Sequence, residues 1–171
     1  MAALQFGWPT LAAAAGVSAF MLNTKFRRFL KLGAVVRVAT YGASIVPVAG
    51  LCGALHSTRV SAMLNEPPHC SVCVETRSVC TQTLMAGIYP MLIVPVTGIA
   101  CAYPHGLAPG RDLQANALAA LRFLRKYSTF LGRLCVANAV LAAAVTYLEL
   151  QALWKLQFKL ASSPPQVNPT L

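Results

Sequence analysis

The chain has 171 residues, which is the size of one domain. Apolar residues make up 57% of it and charged residues only 11%, far below the roughly 25% that is usual in soluble globular domains. So few charges exclude an ordinary water-soluble surface. The 14 Lys and Arg residues outweigh the 4 acidic residues and give a net charge of +10, but they gather in short segments between apolar runs. We therefore predict no nucleic-acid binding.

Four apolar runs follow one another along the chain, over about residues 4–22, 38–55, 84–103 and 134–150. Each is long enough, or nearly so, to supply the about 20 helical residues that cross a bilayer. Aromatic residues near the ends of the runs are typical of membrane interfaces. We predict an all-α membrane protein with a bundle of four transmembrane helices and short loops over residues 1–160. The proline-rich segment 161–171 is predicted to be a disordered C-terminal tail.

The basic residues predict an orientation. Four crossings place both termini on one side and the segments 23–37 and 104–133 on the other. All basic residues except Arg59, Arg77, Lys155 and Lys159 lie in these two segments. The positive-inside rule therefore assigns the two segments to the inner compartment. We expect anchoring to anionic lipid there, through Lys25, Arg27, Arg28, Arg122, Arg125 and Lys126.

The stretch from Leu113 to Lys126 carries apolar residues on one helical face and basic residues on the other. This pattern predicts a helix that leads into the fourth run. An amphipathic helix lying in the membrane interface and an ordinary solvated loop helix both fit it.

Cys70 and Cys73 form a C-x-x-C motif between the second and third runs, with His69 and Cys80 close by. A zinc site is disfavoured because no second ligand pair follows, and a thioredoxin-like site would need a βαβ scaffold. A disulfide that braces an outward-facing loop is favoured if the compartment is oxidising, and a pair of inert thiols is the alternative. We predict no metal, cofactor or catalytic residue.

The interior of the runs contains essentially no ionisable residue, since Arg37, Arg133, His56 and Glu149 lie near their ends. This argues against a channel or pump. Prolines predict kinks in the second and third runs. Pairs of small residues four positions apart predict close helix contacts, within the bundle or with a partner: Ala12 and Gly16, Ala49 and Gly53, Ala139 and Ala143. Cys52, Cys101 and Cys135 are interpreted as small apolar fillers.

The sequence also resembles a known family. The string Cys70-Ser-Val-Cys-Val-Glu-Thr-Arg-Ser78, followed by Gly87-Ile-Tyr-Pro-Met-Leu-Ile-Val-Pro-Val-Thr-Gly98 and Ala102-Tyr103, is similar to the central segment of the transmembrane protein 126 family. Phe26-Arg-Arg-Phe29 resembles the Phe-Arg-Arg signature of that family. The C-x-x-C motif looks more like the A-type branch than the B-type branch.

This resemblance implies a non-enzymatic, multi-pass protein of the mitochondrial inner membrane that assists assembly of respiratory complex I. The implied partners are membrane-arm subunits of complex I, other assembly factors and an anionic lipid such as cardiolipin. The basic segments would face the matrix, and the termini and the Cys70 and Cys73 segment would face the intermembrane space. For helix contacts we expect Tyr89, Pro90, Pro95 and Gly98. The alternatives are a permanent accessory subunit of the respiratory complex and a small inner-membrane carrier or channel.

Overall fold

The computed structural model describes residues 2–32, 34, 36–65, 70–106 and 113–162. Within these ranges the chain is helical and contains no strand. The α-helices are α1 (Ala2–Phe29), α2 (Arg37–Asn65), α3 (Ser71–Thr83), α4 (Tyr89–Ala102), α5 (Leu113–Lys126) and α6 (Ser128–Ser162). The predicted all-helical class is therefore confirmed. The predicted tail begins inside α6, and from residue 163 onward it lies outside the described residues.

Three helical segments of the described chain are long and apolar enough to cross a membrane: Arg37–Asn65, Ser71–His105 and Ser128–Lys159. The second of these joins α3 and α4 into one rod of 35 residues, which we call the α3–α4 rod. The helix α1 has 28 residues, which is sufficient length, but it is not among the three. Polar residues such as Gln5, Thr10, Ser18 and Asn23 interrupt its apolar sequence. The sequence predicts four membrane crossings, and three of the described helical segments have the length and hydropathy of a crossing. The count of four is therefore not confirmed.

The helices extend further than the apolar runs. Where the sequence predicts a crossing over residues 38–55, α2 continues to Asn65. The expected loop between the second and third runs is largely the helix α3. At about 1.5 Å per residue, the 35 residues of the rod are about 52 Å long, well beyond the about 30 Å of a hydrocarbon core. A fall in hydropathy marks the point where a helix leaves the lipid. The helix itself continues past that point where its next residues are polar.

The helix α1 lies against all the other long helices, and its contact with α2 is the most extensive. The small residues that the sequence singles out in α1 and α2 face each other. A Cβ atom on Gly16 would lie 3.5 Å from the Cβ of Ala49, and one on Gly53 would lie 3.3 Å from the Cβ of Ala12. Small side chains let two helix backbones approach closely. The predicted small-residue contact therefore forms within the bundle, between α1 and α2.

A π-helical turn, Leu84–Ile88, joins α3 to α4. It directly precedes Pro90, whose nitrogen has no proton to donate to the preceding turn. The Tyr89 N–H donates to the Leu84 carbonyl instead, which widens the turn. Gly87 within this turn packs against Cys135 of α6. The predicted irregularity at Pro90 is thus present as a wide turn, whereas the helices continue through Pro47 and Pro95.

The bundle has two chemically different ends. At one end, which we call the basic end, α1 finishes, α2 and α6 begin, and Phe123 of α5 packs against α1 and α6. The predicted helix over 113–126 is therefore present as α5, and its Leu118 and Leu121 are 52% and 66% exposed. At the other end, which we call the opposite end, lie the start of α1 and the close of α2 and α6.

Replacing Gly98 of α4 by alanine is expected to destabilise the bundle. A Cβ atom there would lie 2.6 Å from Cε1 of Phe26, whose ring is fully buried. Overpacking of this kind costs about 1–3 kcal/mol. Gly50→Ala is the matched control, because a Cβ on this helical glycine meets nothing within 4 Å. Thermal unfolding in detergent should show a lower midpoint for Gly98→Ala and an equal or higher one for Gly50→Ala. Equal midpoints for the two variants would contradict the packing described here.

Candidate functional site

Two ionisable side chains, His56 of α2 and Glu149 of α6, meet inside the bundle near its opposite end. The Nε2 atom of His56 lies 2.9 Å from Oε1 and 3.1 Å from Oε2 of Glu149, and the side chains are 4% and 1% exposed. The carboxylate also lies against Gly7 of α1, where a Cβ atom would overlap it. One charged group therefore joins three helices.

The sequence does not reveal this pair. His56 and Glu149 each stand where an apolar run ends, which suggested side chains that reach the interface. In the structure both helices continue past these residues and enclose them, so the interpretation that the interior lacks ionisable residues is wrong. One signal was available: the two residues have opposite charge and stand at the same end of their runs.

A buried pair of this kind is costly to break. Removing two ionised groups from water carries a desolvation penalty that their attraction and hydrogen bonds offset. Loss of one partner leaves the other buried without compensation, at about 3–5 kcal/mol. Since the partners are far apart in sequence, the pair fixes how α2 and α6 are placed relative to each other.

Deeper in the bundle, four side chains from four segments form what we call the polar cluster: Ser18, Cys52, Gln82 and Asn138. Asn138 donates to the Ser18 hydroxyl at 2.9 Å. Gln82 donates to the Leu11 carbonyl at 3.2 Å, and its Oε1 accepts from the Cys52 thiol at 2.8 Å. All four side chains are buried. Cys52 packs in the apolar cluster with Leu11 and Val48, as its interpretation as a small filler predicts, and its thiol also donates a hydrogen bond that the sequence did not suggest.

A further bond ties the α3–α4 rod to α6, where the Thr146 hydroxyl donates to that of Ser78 at 2.7 Å. Together with the polar cluster and the ion pair, it shows that these interior side chains find their partners within the bundle. Groups that are bonded in this way hold helices together in an apolar medium. Among the residues that the structure describes, no group of three or more His, Cys, Asp or Glu could hold a metal ion.

Cys70 and Cys73 lie at disulfide distance, with their Cα atoms 5.4 Å apart. Cys70 is the N-cap of α3, and its sulfur accepts a hydrogen bond from the Cys73 N–H at 3.2 Å. The pair therefore lies within the first turn of one helix. A bond there closes that turn and ties α3 to nothing else, so it would not brace a loop as the sequence suggested. His69 lies outside the described residues, and Cys80 is a free, exposed thiol.

At the basic end, aromatic rings gather around two of the predicted lipid-anchoring lysines. The ring of Phe26 meets that of Phe123 edge to face, with centroids 5.0 Å apart. The Lys25 ammonium lies 4.3 Å from the centroid of Phe130, and that of Lys126 lies 5.9 Å from Phe29. These cation–π contacts join the end of α1 to the start of α6 and to α5.

The predicted anchoring residue Arg27 occupies a different position from the one expected. Its side chain is 6% exposed, and it donates to the Val36 carbonyl at 3.1 Å and to the Thr40 hydroxyl at 2.6 Å. It therefore joins the end of α1 to the beginning of α2 inside the protein. Its neighbour Arg28 is exposed, as are Arg122, Arg125 and Lys126 on α5, and Lys25 is partly exposed, so lipid anchoring by these residues stays a prediction.

The four predicted helix-contact residues face the inside of the bundle. Pro90, Pro95 and Gly98 are buried, and Gly98 lies against Phe26. Tyr89 packs on the largest apolar cluster, around Leu11, Ala15 and Val48. These residues are in contact with this chain's own helices and are not offered to a partner.

The His56 and Glu149 pair predicts a specific pattern of stabilities. His56→Leu leaves a buried carboxylate unpaired and should cost about 3–5 kcal/mol. Combining it with Glu149→Gln removes the charge and should restore most of that loss. Glu75→Gln, on the partly exposed face of α3, is the control and should change stability by less than about 0.5 kcal/mol. Unfolding in detergent measures these variants together with Glu149→Gln alone. A double variant as unstable as the sum of the two single variants would contradict the pairing.

Replacing both Cys70 and Cys73 with serine is expected to lower stability by at most about 2 kcal/mol. The closed loop is short, so it restricts the unfolded chain little, and serine is itself a good N-cap. Cys80→Ser is the control for a free thiol. Intact-mass analysis after alkylation without reductant should show two protected cysteines in the wild-type chain. Four cysteines should be alkylated before reduction, and the remaining two should react only after reduction. Alkylation of all six before reduction would contradict the bond.

Comparison with known proteins places this helical architecture in a family. The family model described as Transmembrane protein 126 matches residues 1–109, more than half of the chain. No curated protein matches the sequence, and no solved structure matches it. The matched region contains α1, α2 and the α3–α4 rod, with the cysteine pair and most of the polar cluster. The chain belongs to the transmembrane protein 126 family.

Proposed function

We propose that this protein is a non-enzymatic assembly factor of mitochondrial respiratory complex I, which binds membrane-arm intermediates by lateral helix packing. Family membership is the observation that carries the proposal. It is supported by the interior, where the polar side chains bond one another and form a packed core rather than a path for solute. We also propose that α1 is a fourth crossing and that the protein resides in the inner membrane. The basic end would then face the matrix, and the termini and Cys70 would face the intermembrane space.

The surfaces for such packing are the exposed apolar faces of two helices. On α6, Val136 and Val140 are 65% and 64% exposed and lie one helical turn apart. On α4, Leu92 and Val96 are 61% and 63% exposed with the same spacing. Lipid tails cover these apolar faces. A helix of a hydrophobic subunit covers them equally well when its surface is complementary in shape.

Native electrophoresis in mild detergent, with mass spectrometry of each slice, tests the proposal. Full-length tagged protein should co-migrate with membrane-arm intermediates and be depleted from mature complex I. Enrichment in the mature complex would overturn it in favour of a permanent accessory subunit. Absence of complex I subunits from its slices would overturn it altogether, and solute flux in reconstituted vesicles would then favour a carrier.

Tryptophan substitutions test the lateral contact itself. Val136→Trp with Val140→Trp, and Leu92→Trp with Val96→Trp, replace apolar by larger apolar side chains on lipid-facing surfaces, so the fold should persist. We expect each pair to reduce co-purification of intermediates by about tenfold, the effect of losing about 1.4 kcal/mol. Val46→Trp on α2, an exposed apolar position outside both faces, is the control. Full co-purification by both variants would exclude these two faces.

A further inference from the structure

A cavity of about 600 Å³ opens at the basic end, where α1 finishes and α2 begins. Its size lies within the range of sites that hold small molecules. Four of the lining residues are cationic and none is acidic: Arg27, Arg28, Lys31 and Arg37. An unbalanced group of positive charges beside a membrane interface attracts anions.

The backbone fixes the position of these charges. Lys31 has a left-handed conformation with φ of 53°, and the Leu32 N–H donates to the Arg27 carbonyl at 3.0 Å. This is the hydrogen-bond pattern that ends helices in a Schellman-type turn. It reverses the chain directly after Arg28, and the Arg27 bonds to Val36 and Thr40 hold the start of α2 beside it. The cationic side chains therefore lie together at the corner between α1 and α2.

The remaining wall of the cavity is aromatic and apolar except for Thr24, whose hydroxyl lies 2.9 Å from that of Tyr41. Phe20 and Tyr41 stack with ring centroids 5.0 Å apart, and both line the cavity, as does Leu32. Phe20 lies about two helical turns before Arg28, which is about 11 to 12 Å deeper along α1. The cavity thus runs from a charged mouth at the interface to an aromatic wall inside the apolar region. A phospholipid has the same order along its length, with a charged headgroup followed by apolar acyl chains.

Other basic residues at this end are placed differently. Lys25 and Lys126 lie over aromatic rings, and Arg122 and Arg125 are on the exposed face of α5, away from the cavity. The positive charge of the basic end is therefore divided between aromatic contacts, an open helix face and one enclosed corner. Of these three places, the corner forms a cavity.

We propose that this corner cavity binds one anionic glycerophospholipid, with the headgroup phosphate between Arg28, Lys31 and Arg37 and the acyl chains along Phe20 and Tyr41. The proposal deepens the lipid contact of the proposed function and rests on its membrane location, but not on any complex I partner. Because purified protein suffices to test it, failure here and failure of the assembly role are distinguishable.

Native mass spectrometry of the full-length protein in detergent tests the site with phosphatidylglycerol, with phosphatidylcholine of the same chains, and with inorganic phosphate. The wild-type chain should retain one phosphatidylglycerol in preference to phosphatidylcholine. Each basic residue near an anionic headgroup contributes about fivefold in affinity, so Lys31→Gln with Arg37→Gln should weaken phosphatidylglycerol binding about thirtyfold. Arg77→Gln with Lys155→Gln removes the same charge from exposed positions outside the predicted lipid anchors and should change it by less than about twofold.

Three outcomes would overturn the proposal. Equal losses in the two double variants would mean diffuse attraction to surface charge. Equal retention of phosphatidylcholine would mean that the headgroup is not recognised. Inorganic phosphate that binds as tightly as the lipid, and only when Lys31 and Arg37 are present, would make this a phosphate site. If the cavity variant unfolds at a lower temperature, the exposed Arg28→Gln repeats the test with an expected loss of about fivefold.

Discussion

The structure depends on one constraint, which is that a polar group inside an apolar bundle must find its partner within the protein. The polar cluster, the Ser78 and Thr146 bond and the pair of His56 with Glu149 all obey it. Each connects helices that are distant in sequence. Apolar surfaces alone would let such helices slide or rotate in lipid, because lipid tails are as apolar as the helices. The buried polar bonds fix which residues face each other.

The same constraint explains the composition of α1. Its Ser18, Asn23 and Arg27 lower its hydropathy, yet they face inward and bond Asn138, Ser44 and Thr40. Its exposed side chains include the apolar Val17 and Phe20, together with the polar Gln5 and Thr10 near its start. A helix that touches every other long helix can carry polar residues at the contacts, whereas a peripheral one cannot. The low mean hydropathy of α1 is therefore compatible with the fourth crossing that we propose for it.

Sequence reasoning reached the helical class, the positions of three apolar helices, the helix α5 and the small-residue contact of α1 with α2. Each is a local pattern or a pattern of composition, which short windows of sequence contain. It did not find the partners of His56, Cys52 or Arg27, because a partner is a property of the packed helices. It also placed a loop where α3 lies, since polar residues outside lipid give no apolar run while still forming a helix. The spacing of Cys70 and Cys73 was visible in the sequence, but their position within one helical turn was not.

The two ends of the bundle have different roles in the function that we propose. The opposite end is fixed by an ion pair, and the basic end presents charge and an enclosed corner to the membrane surface. This division requires that α1 crosses the membrane with the other three segments. Epitope tags at the two termini, probed with protease in sealed vesicles of known orientation, test that claim most directly. The account predicts that both tags are protected or both are cleaved, as four crossings require. One protected tag and one cleaved tag would show an odd number of crossings and contradict it.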